Sequence, residues 1–159
     1  MTFTDEATWY ASLATMYGTA AALITSPAGE VLLVKPNYRE LWSLPGGILE
    51  DAEPPEEGCT REVLEEIGLD LAMGPLLALH WIAPSGLRPK PMVAFVFDGG
   101  VLSDFSQIVL QEEEIDEFRL VPPPELAEYL PAHMTSRVAG AIGARETGIP
   151  VYLSHPAQR

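Results

Sequence analysis

Cysteine is almost missing from this sequence: Cys59 stands alone, so no internal disulfide can brace the chain and no cysteine-rich metal site can form. Basic residues are scarce too. Nine Lys and Arg face 23 Asp and Glu, a formal net charge of −14, which repels a nucleic-acid backbone over much of the surface and argues against long RNA or DNA as a ligand. No apolar run reaches the roughly eighteen residues of a membrane span. The N-terminus also lacks a basic segment followed by an apolar one, so neither a membrane helix nor a signal peptide is expected, and the expected location is the cytoplasm. Three common catalytic signatures, Gly-x-x-x-x-Gly-Lys-Ser/Thr, Gly-x-Ser-x-Gly and His-Glu-x-x-His, have no counterpart.

What is present fits one domain over residues 1–159, with a hydrophobic fraction of 47% and a sizeable core. Thr4-Asp5-Glu6 reads as the cap of a short helix bearing Trp9, Tyr10 and Leu13, an extension over residues 1–16 that packs either on the domain or on a second copy in a homodimer. Gly18 to Thr25 and Val31 to Lys35 flank the turn Ser26-Pro27-Ala28-Gly29 and predict a β-hairpin. Pro75 to Ala83 and Met92 to Phe97 predict strands, with a turn at Gly99-Gly100 after them. An aromatic strand at Phe118 to Leu120 leads to helices over Pro124 to Leu130 and Met134 to Glu146, the latter stopped by Gly148. Val151 to Leu153 closes the chain as a last strand, and 155–159 form a loose tail. Interleaved strands and helices of this kind make an α/β domain.

The densest chemistry lies between Gly47 and Leu69. Pro55 suits the first turn of a helix, having no amide hydrogen to leave unpaired there, and Glu56 and Glu57 meet the positive end of its dipole. Gly68 is free to take the left-handed conformation that stops it. On this helix Glu62, Glu65 and Glu66 fall on one face, with Thr60, Val63, Leu64 and Ile67 centred on the other. Like charges at i, i+4 cost an isolated helix about 0.2–0.5 kcal/mol per pair, and Arg61 is the only base in the run. Hard divalent cations would compensate, since they take carboxylate oxygens together with water and substrate phosphate. Cys59 on the same helix reads as a small packing residue.

Gly47, Glu53, Arg61, Glu62, Val63, Glu65, Glu66, Gly68 and Leu69 fill every specified place of a known pattern. A chance match at one starting point is on the order of one in a billion at ordinary residue frequencies. The stretch resembles the Nudix box of the Nudix hydrolases, and Leu41 to Gly47, with its Trp-x-x-Pro-Gly-Gly order, is similar to the entry into that box. Weaker similarity runs from Ala20 to about Arg137.

The resemblance implies a Nudix fold, a mixed β-sheet sandwiched between α-helices, and a pyrophosphohydrolase using Mg²⁺ or Mn²⁺. It implies metal ligands at Glu62, Glu65, Glu66 and the carbonyl of Gly46, with Arg61 orienting a box carboxylate and Glu53 bracing the loop. The general base stays open between Glu62 and the acidic loop Glu112-Glu113-Glu114. Lys35, Arg39, Arg88 and Lys90 are the only basic side chains in place to be considered for substrate phosphates. The implied reaction is cleavage of a diphosphate in a nucleoside diphosphate linked to another group, a small molecule. Pro84, beyond the box, resembles a position associated with ADP-ribose hydrolases and shifts the expectation towards ADP-ribose or a nucleotide sugar. Hydrolysis of nucleoside triphosphates to cleanse the nucleotide pool is the alternative within the enzyme class, and a non-catalytic nucleotide sensor the alternative outside it.

Overall fold

The computed structural model describes residues 5–156. Its strands are β1 (Tyr17–Thr25), β2 (Val31–Pro36), β3 (Gly46–Ile48), β4 (Leu76–Ile82), β5 (Met92–Val101), β6 (Ile115–Val121) and β7 (Val151–His155). The helices are α1 (Glu6–Ala11), α2 (Pro55–Ile67), α3 (Leu126–Tyr129) and α4 (Ala132–Thr147), with one 3-10 turn at Pro123–Glu125. The strands form one mixed sheet in the order β6-β2-β1-β5-β4-β7, with β3 attached to β1. β1 runs parallel to β5 and β4 to β7; the other pairings are antiparallel. The fold is therefore α/β, with a mixed sheet between helices, as the resemblance implied.

Side-chain alternation along β1 divides the interior into two cores. Ala20, Ala22 and Ile24 join Cys59, Val63 and Ile67 of α2 on one face. On the other, Leu23 joins Leu126 of α3 and Val138, Ala141 and Ala144 of α4. A strand covered on both faces needs an almost continuous apolar run, which Ala20 to Ile24 supplies. The same strand splits its neighbours. Thr25 pairs with Val31 of β2, whereas Thr19 to Ala21 pair with Ile48 to Gly46 of β3, so the sheet forks beside β1.

Several expectations need correction. Gly99-Gly100 is no turn but part of β5, where the register against β1 shifts between Leu23 and Ile24. Gly99 is packed so closely that a Cβ there would lie 2.5 Å from Ile24 Cγ1. Arg145 pins α4 to this irregularity: its guanidinium donates to Asp98 Oδ1 at 2.6 Å and to Thr25 Oγ1 at 2.7 Å, and also to the Leu23 carbonyl.

At the N-terminal end Asp5 caps α1 by accepting from the Thr8 amide at 3.0 Å; Thr4 lies outside the described residues. α1 buries no residue, and Trp9 and Tyr10 pack edge-to-face on each other instead of on the sheet. Fewer than two helical turns cannot present an apolar stripe to the domain. His155 ends β7 and so does not belong to a loose tail; residues 157–159 lie outside the description. Among the described residues, no helix is long and apolar enough to cross a membrane.

Candidate active site

The helix α2 starts and stops where its sequence dictates, with Pro55 in the first turn and Gly68 at φ 70°, its amide donating to the Leu64 carbonyl. The loop before it is held by charge. Arg61 Nε donates to Glu53 Oε1 at 2.8 Å and Nη2 to Glu53 Oε2 at 3.0 Å. These bonds, with one from the Glu50 amide, hold the Glu53 carboxyl down to about 2. The same guanidinium reaches Glu62 at 2.9 Å, Glu65 at 3.1 Å and the Ile48 carbonyl. Arg61 thus orients carboxylates and Glu53 braces the loop. Gly58, which the box pattern leaves unspecified, is also required: a Cβ there would lie 2.5 Å from Leu49 Cδ2 and 2.6 Å from Glu53 Oε2.

The face of α2 that packs differs from the one expected by rotation alone. Cys59, Val63 and Ile67 are buried, but so is Glu66, while Leu64 is exposed. Glu66 sits at the edge of the buried stripe, only 3% exposed, because the Gly46 amide donates to its Oε2 at 2.8 Å. Gly46 has φ 147°, and a Cβ there would come within 2.2 Å of the Ala20 carbonyl oxygen. At Gly47 a Cβ would lie 2.5–2.6 Å from the carboxyl atoms of Glu62. Gly46 therefore lets this backbone lie against β1 with its amide free to reach Glu66, and Gly47 leaves the space that the Glu62 carboxyl fills. Burial pushes Glu66 up to about 7, with the charges of Glu62 and Glu114 acting in the same direction against the Gly46 hydrogen bond. Burial raises Glu62 too, opposed by Arg61. The Cys59 thiol, pushed up to about 12 by burial, is inert packing.

Glu62, Glu66 and Glu114 share one cavity of about 540 Å³ with Gly46, Gly47 and Arg39. Glu114 is aimed there by its loop: the Asn37 amide donates to the Glu114 carbonyl at 2.8 Å and Asn37 Nδ2 to the Glu113 carbonyl at 2.7 Å. Glu112 and Glu113 do not line the cavity, and neither does Glu65, which is exposed and paired with Arg61.

Of the four basic candidates only Arg39 lines it, over the Tyr38 ring. Lys35 is spent on the carbonyls of Pro36 and Arg39. Arg88 ties its own loop together through the carbonyls of Ala83 and Lys90, and Lys90 lies over Tyr17. Pro84 is not in the lining.

Among the described residues no three Asp, Glu, His or Cys side chains form a complete metal cage. A cation such as Mg²⁺ does not need one, because it keeps several waters and takes substrate oxygens. The donor set fits it: two hard carboxylates, Glu62 and Glu66, lie beside the Gly46–Gly47 backbone, Glu62 in the space that Gly47 leaves, and burial holds both above the usual carboxylate range.

The opposite end of the cavity holds residues to which sequence reading assigned no part in a site. Ile82, Met92, Met134 and Val138 are apolar wall, and among them stands Arg137 of α4. His80 is buried and accepts from Arg137 Nε at 3.1 Å through Nδ1. All three histidines of the chain gather here, with ring centroids 6.0–6.5 Å apart. The signal for Arg137 was its place directly before Val138 on the buried stripe of an otherwise apolar helix face.

A family model described as the NUDIX domain matches residues 16–139, most of the chain, and the chain belongs to that family. Among solved structures it is similar to a MutT protein from Methanosarcina mazei Go1, with a TM-score of 0.69 and 29% identity, over 86% of this chain and 99% of that one. A MutT-like protein of Streptomyces ambofaciens is 34% identical over 51% of this chain and 52% of its own length. An 8-oxo-dGTP diphosphatase of Proteus vulgaris is 46% identical over 28% of this chain and 39% of its own. The chain spans about a quarter to a half of the length of the curated relatives it matches.

Proposed function

We propose that this protein hydrolyses the diphosphate linkage of a small nucleoside diphosphate derivative with the help of a divalent cation. The observation that carries the reading is the convergence of Glu62, Glu66 and Glu114 on one cavity over the Gly46–Gly47 pair. Glu62 and Glu66 would hold Mg²⁺ or Mn²⁺ beside the Gly46 carbonyl, with Glu65 joining them only on release from Arg61. Bound there, the cation supplies neutralisation of the diphosphate oxygens and a lowered pKa for attacking water. Arg61 keeps Glu62 in place, and Arg39, in the cavity lining, adds a second positive side chain near the carboxylates.

Glu114 is the general base in this reading, because it enters from a separate loop and, unlike Glu62, accepts no guanidinium bond. It takes the proton of the attacking water, and the leaving phosphate departs towards solvent. Substrates with a diphosphate, including ADP-ribose, nucleotide sugars and nucleoside triphosphates, present the same bond to these groups.

The test is product analysis after incubation of the purified protein with each of those classes in Mg²⁺ or Mn²⁺, alongside Glu66→Gln and Glu114→Gln. Metal-dependent release of a nucleoside monophosphate that either substitution depresses by about 10²-fold or more is expected. Turnover at the parental rate in Glu66→Gln would refute the metal assignment.

A further inference from the structure

Arg137 is half-buried, yet among the described residues it has no acidic partner; its one hydrogen bond there runs from Nε to His80. This is unusual in a chain with 23 acidic residues and nine basic ones, where carboxylates are in excess everywhere else. Burying a charge is costly unless it is paired. Burial alone holds this guanidinium down to about 10. The Nε bond orients the group and leaves Nη1 and Nη2, two parallel donors, without a protein acceptor among the described residues. A second polar group in the same lining is more deeply buried: Ser43 Oγ, in a residue 4% exposed, has no hydrogen-bond partner among the described residues. Both line the cavity that contains Glu62 and Glu66. A ligand is the obvious missing partner for each.

We infer that Arg137 reads the edge of a nucleobase that carries two adjacent hydrogen-bond acceptors, guanine through N7 and O6 or cytosine through N3 and O2. This rests on the nucleotide reading of the same cavity given above. The walls favour a base over a second phosphate. Ile82, Met92, Met134 and Val138 offer apolar and thioether surface to a flat ring, whereas a phosphate would have to leave water for it. A planar guanidinium matches two coplanar acceptors, as in its common pairing with guanine. Adenine puts an amino donor beside N7 and would set donor against donor. Uracil separates its two carbonyls by an N–H. In 8-oxoguanine N7 carries hydrogen, so the same fork would reject it. Ser43 is in the lining to take up a further polar atom of the nucleoside.

Binding can be measured without turnover. Calorimetric titration of GMP, CMP, AMP and UMP into the intact protein in EDTA is compared with Arg137→Met and Arg137→Lys, each first checked for its unfolding temperature. The expected result is that GMP or CMP binds about ten-fold or more tightly than AMP and UMP, and that both variants lose this preference. AMP bound as tightly as GMP and CMP, or a preference that survives in Arg137→Met, would overturn the inference. So would undiminished affinity in Arg137→Lys with competition by inorganic phosphate, which would mark a site for charge. A base preference dependent on Arg137 with no hydrolysis of any diphosphate would sink the catalytic reading and leave this one standing.

Discussion

Glu66→Gln is expected to make the metal-free protein more stable while removing its turnover. The Gly46 amide can donate to a glutamine oxygen as it does to the carboxylate, so the loop keeps its anchor. What disappears is a buried negative charge. The carboxyl is held at about 7 in the fold, against an ordinary 4.5. Between those two values the unfolded chain has released the proton and the folded chain retains it, so stability falls as pH rises through the window. Above about pH 7 the loss is complete and amounts to about 3 kcal/mol.

The glutamine variant has no such proton to lose. In EDTA its unfolding temperature should match the parent near pH 4.5 and exceed it at pH 8 by on the order of 6–12 °C for a chain of this size. Mg²⁺ at pH 8 should raise the parent, by linkage of binding to folding, and leave the variant nearly unmoved. Thermal unfolding followed by circular dichroism at both pH values reads all of this. A variant at or below the parental unfolding temperature at pH 8 in EDTA would refute the electrostatic account of the site.

Gly47→Ala places a methyl where the Glu62 carboxyl now lies, so turnover should fall by about 10²-fold with the fold intact, as steady-state kinetics with circular dichroism would establish. His80 is held down to about 4, mainly by burial, against an ordinary 6.5. Its contribution to stability is therefore lost as pH falls from 6.5 towards 4, and a His80→Phe variant titrated by thermal unfolding should lack that part of the acid-side decline. Arg145→Met removes a partly buried brace and should cost roughly 2–3 kcal/mol in urea unfolding while leaving the metal dependence of turnover as it was.

The box was legible because it is local. Helix caps, acidic first turn, glycine stop and the Arg61–Glu53 brace all depend on residues within a dozen positions of one another, and periodicity or pattern can read such spacings. The hairpin and most strands were legible for the same reason. Glu66 shares its face with Glu62 as read, but its burial was missed because rotation alone knows nothing of the Gly46 amide twenty residues earlier. Gly99-Gly100 has the composition of a turn, and only the packing of Ile24 and Ala22 against Gly99 makes it a strand. Arg88 and Lys90 looked available for phosphate because the sequence does not say that one meets loop carbonyls and the other the Tyr17 ring. Arg137 and His80 come together from positions 57 residues apart, and no spacing announces them.

The fork of the sheet beside β1 also bears on how the chain becomes competent. The cavity is walled by residues of β1, β3, β4, β5, α2 and α4, so it needs the pairing of β1 with β5, which joins residue 17 to residue 92, and its far wall waits for α4. Contacts that span so much sequence form slowly, because the intervening loop must close first. During synthesis from the N-terminus, the acidic helix therefore emerges long before the pocket that uses it. A nascent chain ending short of Arg137 carries the carboxylates but has no chamber, and nucleotide capture should begin only once α4 has been made.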